Sequence, residues 1–120
     1  MGDMTGEASA AIEATVRDYV EGWYEGDADR MDRALRDDLV KRIPAGEGGG
    51  LRSVSKARMV ELTKGGGGES PGAEYEIEVH HVSGRIASAR VRSVEYLDYL
   101  QLVDTGNGWK IANILFRTWD

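Results

Sequence analysis

A carboxyl group in the second half of the chain is the residue best suited to acid–base chemistry. Asp98 alternates with Leu100 and Leu102, so in a strand all three side chains point to one face. Burial among apolar groups raises a carboxyl pKa toward the range of a general base, which makes Asp98 a candidate catalytic residue. The alternative is structural: Asp98 accepts hydrogen bonds from Asn113, Tyr96 or a backbone N–H and only completes a pocket wall.

Two further polar residues share the predicted inner face of the sheet. His81 is the second catalytic candidate, as an acid, a base or a hydrogen-bond donor; otherwise it is a rim or core residue with a satisfied N–H. Asn113 either holds Asp98 in place or binds a small molecule directly. His80 points the opposite way, and the chain has no His-x-x-x-His spacing and no cysteine. We therefore predict no metal site and no cofactor.

Aromatic residues could line a binding site for a flat ring. Tyr19 and Trp23 are one helical turn apart, and Tyr75 and Trp109 share the predicted inner face. Together with Asn113 they are the candidate ligand-binding residues for a small apolar or aromatic molecule. Aromatic residues at this spacing also occur in a plain hydrophobic core, so that alternative stays open.

Three helices are predicted in the first half of the chain. The first covers about residues 7–25, where apolar residues recur at helical spacing. Asp27 caps a second helix, and Ser53 or Ser55 caps a third. The predicted ends are, in order, Gly26, Arg36 and Gly65.

Shorter segments separate and follow these helices. Residues 39–43 are predicted to be a strand ended by Pro44, and Arg42 on it is either a solvated side chain or a contact for an anion. The glycine runs 46–50 and 65–72 are predicted to be flexible connectors. The second run lacks the Gly-Lys-Ser/Thr order that a phosphate loop needs.

Further strands predict a mostly antiparallel sheet, and the fold class is therefore α+β. A three-residue loop at 83–85 is preferred because it sets Glu78 opposite Arg90. A two-residue turn at Gly106 and Asn107 pairs the last two strands. The predicted strands cover 73–82, 86–94, 96–104 and 109–119. The face beneath the helices collects Tyr75, Ile77, Val79, His81, Ala87, Ala89, Val91, Ser93, Asp98, Leu100, Leu102, Trp109, Ile111, Asn113 and Leu115.

The opposite face of the last two strands is also apolar. A sheet covered by helices on one side alone would carry polar residues there. A contiguous apolar surface of this kind usually binds a partner, and an isologous homodimer is the simplest way to cover it. The predicted dimer face consists of Leu97, Tyr99, Gln101, Val103, Ala112, Ile114 and Phe116.

Composition excludes several classes of protein. The 120 residues fit one domain, residues 1–120, and the formal charge of −6 opposes non-specific binding to nucleic acid or to an anionic membrane. No run approaches the roughly 20 apolar residues of a membrane span, and the first residues lack the pattern of a secretory signal. We expect a cytoplasmic protein with no nucleic-acid partner and no membrane partner.

Several segments together resemble a known family. They are Tyr19-Val20-Glu21-Gly22-Trp23, Gly26-Asp27, Asp38-Leu39-Val40-Lys41-Arg42, Ala87-Ser88-Ala89-Arg90-Val91, Tyr96 to Val103, and Gly108-Trp109-Lys110-Ile111-Ala112-Asn113. They are similar to the putative lumazine-binding family of the nuclear transport factor 2-like superfamily. The resemblance implies a cone-shaped sheet wrapped around helices, a cystatin-like fold, an internal pocket and dimers packed through the sheet. It departs from related chains at Arg36-Asp37, where those often carry His-Pro.

Three functional hypotheses remain open. The first is a homodimer that binds a small molecule in an aromatic-lined pocket. The second is an isomerase, cyclase or dehydratase acting on a small carbonyl compound, with Asp98 as general base, because the superfamily also contains ketosteroid isomerases and polyketide cyclases. The third is a protein-interaction module that uses the outer sheet face. Fold alone does not choose among them.

Overall fold

Helices precede most of the strands, in the computed structural model that describes residues 2–46, 48–68 and 70–119. This order confirms the α+β class, although β2 was not predicted and β1 starts directly where the second helix ends. The elements are α1 (Gly2–Glu25), α2 (Ala28–Ala34), β1 (Leu35–Ala45), β2 (Gly50–Val54), α3 (Lys56–Lys64), β3 (Tyr75–Ser83), β4 (Ile86–Ser93), β5 (Tyr96–Asp104) and β6 (Trp109–Thr118).

Local capping explains where the two shorter helices begin. The Asp27 carboxylate accepts a hydrogen bond from the backbone N–H of Arg30 at 3.1 Å. The Ser55 hydroxyl accepts one from the N–H of Arg58 at 3.1 Å. Both caps satisfy N–H groups that have no partner within the helix, as predicted. The second helix is shorter than predicted, because Leu35 already adopts an extended backbone.

The six strands form one curved sheet in the order β2-β1-β6-β5-β4-β3. Neighbouring strands are antiparallel except β1 and β6, which run parallel. The helices cover one face, and the core lies between them and the sheet. The largest fully buried core side chains are Ile12, Val16, Met31, Leu35, Thr63, Val91, Leu100, Leu102 and Ile111.

A β-bulge in β3 changes the predicted position of His81. The hairpin turn has two residues rather than three, since Ser83 pairs with Ile86, and the ladder shifts between Val79 and His81. On the side of the bulge away from the turn, the predicted pairing of Glu78 with Arg90 is confirmed. His81 pairs with Ser88 and is exposed on the outer face, so its predicted inward orientation is wrong. One extra residue reverses the faces of the side chains between the bulge and the turn relative to the prediction.

A second bulge, at Ala112 in β6, has the same effect on the end of the sheet. The predicted pairing of Asp104 with Trp109 is confirmed, but after the bulge Gln101 pairs with Asn113. Asn113 and Leu115 are therefore exposed on the outer face, whereas the prediction placed them inside. The opposite error affects the predicted dimer face. Ile114 and Phe116 were predicted on the outer face but lie on the inner face.

The second glycine run is a packed turn rather than a free connector. The Gly67 N–H donates to the Leu62 carbonyl, and the Gly68 N–H donates to the Trp23 carbonyl, both at 2.9 Å. A Cβ on Gly68 would lie 2.8 Å from Trp23 Nε1, closer than such atoms approach. Glycine here lets the backbone reach the end of α1. Within the two predicted connectors, Glu47 and Glu69 lie outside the described residues.

Candidate functional site

A cavity of about 120 Å³ lies between α1, α3 and the inner face of the sheet. Its walls are mainly aliphatic and aromatic, and it sits near the turn that joins β4 to β5. An engineered protein cavity of about 150 Å³ holds benzene, so this space has the scale of a single ring. The lining residues are Tyr19, Val20, Trp23, Tyr24, Lys41, Val54, Met59, Leu62, Val91, Ser93, Tyr96, Asp98 and Phe116.

Three ionisable side chains form a hydrogen-bonded chain in the cavity wall. The Tyr19 hydroxyl donates to Asp98 Oδ2 at 2.7 Å, and Lys41 Nζ donates to the Tyr19 oxygen at 2.7 Å. All three residues are at least nine-tenths buried. Asp98 Oδ1 accepts no hydrogen bond from the described residues. The atom is not fully buried, so a molecule in the cavity can reach it. One carboxylate oxygen is therefore free to contact a bound molecule.

Burial favours the neutral forms of the Asp98 carboxyl group and the Lys41 amine. Desolvation raises the pKa of Asp98, although the positive charge of Lys41 and the hydrogen bond from Tyr19 oppose the rise. Burial lowers the pKa of Lys41 to about 8, against the attraction of Asp98. The pKa of Tyr19 is raised well above its usual value, chiefly by desolvation. Perturbed groups of this kind in a cleft are typical of functional sites.

Alternation along β1 places Lys41 inside, a position that the sequence interpretation missed. Leu39 and Lys41 are buried, whereas Val40 and Arg42 between and after them are exposed. The period of two that turns Leu39 inward also turns Lys41 inward, so the signal was present. The prediction considered Arg42 instead. The Lys41 ammonium also lies 4.6 Å from the ring centre of Phe116, a contact that favours its charged form.

The structure brings together three of the predicted site residues. Asp98 lies on the inner face, as the alternation of β5 predicted, and Tyr19 and Trp23 line the same cavity. Their catalytic and ligand-binding roles stay predictions. Trp23 Nε1 is fully buried beside Gly68 and has no hydrogen-bond partner among the described residues.

The remaining predicted site residues lie elsewhere. The Tyr75 hydroxyl contacts Glu21 on the helix surface. Trp109 is a core residue whose partner across the sheet, Asp104, is six residues or about 20 Å along β5 from Asp98. Asn113 donates to the Gln101 side chain at 3.2 Å on the outer face, and His81 is exposed. None of these four predicted residues lines the cavity in the described structure.

Aromatic residues that the sequence interpretation missed complete the wall. Tyr96 and Phe116 meet edge to face, with ring centres 5.8 Å apart. Phe116 was assigned to the outer face because strict alternation does not anticipate the bulge in β6. The Tyr24 hydroxyl donates to Ser93 at 3.0 Å, which joins α1 to the end of β4.

The described residues contain no group of three or more His, Cys, Asp or Glu side chains arranged to hold a metal ion. Their helices include none that is long and apolar enough to cross a membrane.

The fold is the one seen in nuclear transport factor 2-like and cystatin-like proteins. A protein of this class from Silicibacter pomeroyi, of unknown function, superimposes with a TM-score of 0.82 at 22% identity, covering 95% of this chain and 98% of that one. One from Shewanella baltica, also of unknown function, gives a TM-score of 0.83 at 18% identity and covers 95% of each chain. A ketosteroid isomerase-like protein from Erwinia carotovora gives 0.68 at 22% identity, covering 92% of this chain and 95% of that one.

The chain belongs to the putative lumazine-binding family, whose sequence profile matches residues 7–117. The match confirms the resemblance seen in the sequence. A comparison with curated proteins gives no match.

Proposed function

We propose that the chain binds a small, largely apolar molecule, about the size of one aromatic ring, in the cavity beneath α1. The observation that carries this proposal is the composition of the cavity wall: apolar and aromatic residues surround a buried polar cluster of Tyr19, Lys41 and Asp98. Binding sites for small molecules combine such walls with a few placed polar groups. A neutral ring with one hydroxyl or carbonyl group fits this arrangement best.

Filling the cavity tests the proposal directly. We expect phenol to shift the amide NMR signals of residues around the cavity, and Val54→Phe to weaken this binding at least about ten-fold because the new ring occupies the space. Val82→Phe is the matched control, since Val82 is also half-buried against the core but lies outside the cavity. Equal affinities in both variants would show that phenol binds elsewhere, and no binding to the wild type would refute the proposal.

Size discrimination provides a second arm of the same experiment. The family description mentions lumazine, which has two fused rings, whereas the cavity volume matches one ring. We expect lumazine to bind roughly ten-fold more weakly than phenol. Tighter binding of lumazine would contradict the size argument and support a more open site.

A second candidate function is proton abstraction beside a carbonyl group, with Asp98 as general base. It is favoured by the free Oδ1 atom at the cavity and by the raised pKa of Asp98. We expect the wild type to accelerate exchange of the α-protons of cyclohexanone in D₂O, and Asp98→Asn to abolish the acceleration. Asp104→Asn, on the same strand but outside the cavity, should leave it unchanged. Unaltered exchange in Asp98→Asn would remove this candidate.

We also propose that two copies of the chain associate through the outer face of the sheet. Large apolar side chains are exposed on this face, notably Tyr99 at 49% and Leu115 at 51%. They border a groove of about 550 Å³ together with Val40, Leu51 and Asn113. From the predicted set, Leu97, Tyr99, Gln101, Val103 and Ala112 are retained. Large apolar side chains exposed beside a groove are a common feature of self-association surfaces.

A further inference from the structure

We propose that Lys41 is a nucleophile that forms an imine with a small aldehyde or ketone bound in the cavity. This inference deepens the proposed function and rests on it, because the carbonyl compound must first occupy the cavity. It assigns a covalent role to a side chain that the two functions above use only as a polar contact.

The surroundings of Nζ suit nucleophilic attack. Lys41 is 7% exposed and lines the cavity. Its Nζ atom contacts the Tyr19 hydroxyl oxygen at 2.7 Å and Met59 Sδ at 3.5 Å. The two N–H bonds of a neutral amine can make these two contacts. The lone pair of the nitrogen then points in a third direction. A carbonyl carbon bound in the cavity can lie in that direction and react with the lone pair.

Tyr19 and Asp98 supply a path for the protons of the reaction. The amine lone pair bonds to the carbonyl carbon, and the carbonyl oxygen gains a proton as the nitrogen loses one, which gives a carbinolamine. The hydroxyl group then leaves as water after accepting a proton, and the nitrogen loses its second proton to give the neutral imine. The Lys41–Tyr19–Asp98 hydrogen bonds connect the nitrogen to a carboxyl group that can accept and return these protons.

The groups around Lys41 determine which fraction of its amine is neutral. The titratable groups among the residues lining the cavity are Tyr19 and Tyr24 from α1, and Tyr96 and Asp98 from β5; α3 contributes Met59 and Leu62. Burial lowers the pKa of Lys41 to about 8 although Asp98 favours the ammonium form. At pH 7.5 roughly a quarter of Lys41 is then neutral, against about a thousandth of an ordinary lysine.

Reductive trapping tests the inference on the full chain. We expect benzaldehyde with sodium cyanoborohydride at pH 7.5 to label Lys41 at least about ten-fold faster than the other lysines, as measured by peptide mass spectrometry. Lys56, Lys64 and Lys110 are internal controls in the same molecule, and Lys64 is the exposed reference. 9-Anthraldehyde, which is too large for the cavity, should label the exposed lysines and spare Lys41.

Variants and a parallel binding measurement separate the possible failures. Tyr19→Phe should slow labelling of Lys41 but not of Lys64, because it interrupts the proton path. If phenol binds in the cavity but Lys41 is labelled no faster than Lys64, this inference is wrong and the proposed binding function stands. If neither phenol nor benzaldehyde reaches the cavity, both fail. Equal labelling of Lys41 by the two aldehydes would also overturn the inference, since it would show reaction outside the cavity.

Discussion

Three side chains give the cavity its polar character. Lys41 and Asp98 are both buried, and the Tyr19 hydroxyl lies between them as acceptor for one and donor for the other. Removing charged groups from water is costly, and a buried ion pair often stabilises a fold no better than apolar residues would. A cluster that costs stability and faces a cavity is therefore better explained by function than by folding.

The cost of burying Lys41 is measurable through the pH dependence of stability. Its pKa is about 8 in the folded chain and near 10.5 when unfolded, so between these values the unfolded chain binds more protons and stability rises with pH. From pH 8 to 9.5 we expect the free energy of unfolding to rise by about 1–2 kcal/mol more in the wild type than in Lys41→Met. Urea unfolding at the two pH values measures this.

The exposed Lys64 gives the control for that measurement. Lys64→Met makes the same substitution at an exposed lysine and is therefore the matched control for burial. An identical pH dependence of Lys41→Met and the wild type would show that the Lys41 amine is not perturbed by burial.

Irregular backbone, as well as regular helices and strands, shapes the cavity. The bulge in β6 turns Phe116 toward the cavity and Asn113 toward the outer face. The glycine turn after α3 packs against Trp23 and Tyr24, which are cavity residues at the end of α1. The shape of the cavity therefore depends on a turn that contributes no side chain to it.

Alanine substitutions at two glycines separate close packing from backbone strain. Gly67 and Gly72 both have positive φ, +54° and +80°, so alanine at either costs about 1 kcal/mol. At Gly67 the new Cβ would also overlap the Trp23 carbonyl oxygen, whereas nothing lies within 4 Å at Gly72. We expect Gly67→Ala to lower the free energy of unfolding by roughly 2 kcal/mol more than Gly72→Ala. Equal losses in urea unfolding would show that the turn is not tightly packed.

At the scale of the whole molecule, the sheet separates two surfaces of different character. Its inner face carries the core and the cavity, and its outer face exposes Tyr99 and Leu115 beside the groove. Because adjacent side chains on a strand point to opposite faces, Ile114 is 3% exposed while Leu115 is 51% exposed. A substitution can thus change the outer face without disturbing the cavity.

Sedimentation velocity can test the proposed dimer with charged substitutions. We expect the wild type to sediment as a dimer and Leu115→Asp to sediment as a folded monomer, because a carboxylate would be buried without a partner at the interface. Val94→Asp is the matched control, since Val94 is 63% exposed and does not border the groove. A monomeric wild type, or a dimer that survives Leu115→Asp, would contradict the proposal.

Local signals in the sequence were sufficient for most elements of the fold. Helical spacing and the caps Asp27 and Ser55 gave the helices, and alternation gave β5 together with the inward position of Asp98. These signals are readable because capping and side-chain alternation involve residues that are close along the chain. The same alternation in β1 would have given Lys41, had it been extended from Leu39.

By itself, the sequence determined the α+β class, the family and one inward carboxyl group. Only the tertiary structure decided that Lys41 and Tyr19 join Asp98, and that His81 and Asn113 leave the inner face. The physical reason is that a bulge is a property of the pairing between two strands. A contact between buried side chains likewise depends on elements that are far apart in the chain. Neither a bulge nor such a contact can be recognised in the local sequence pattern of one segment.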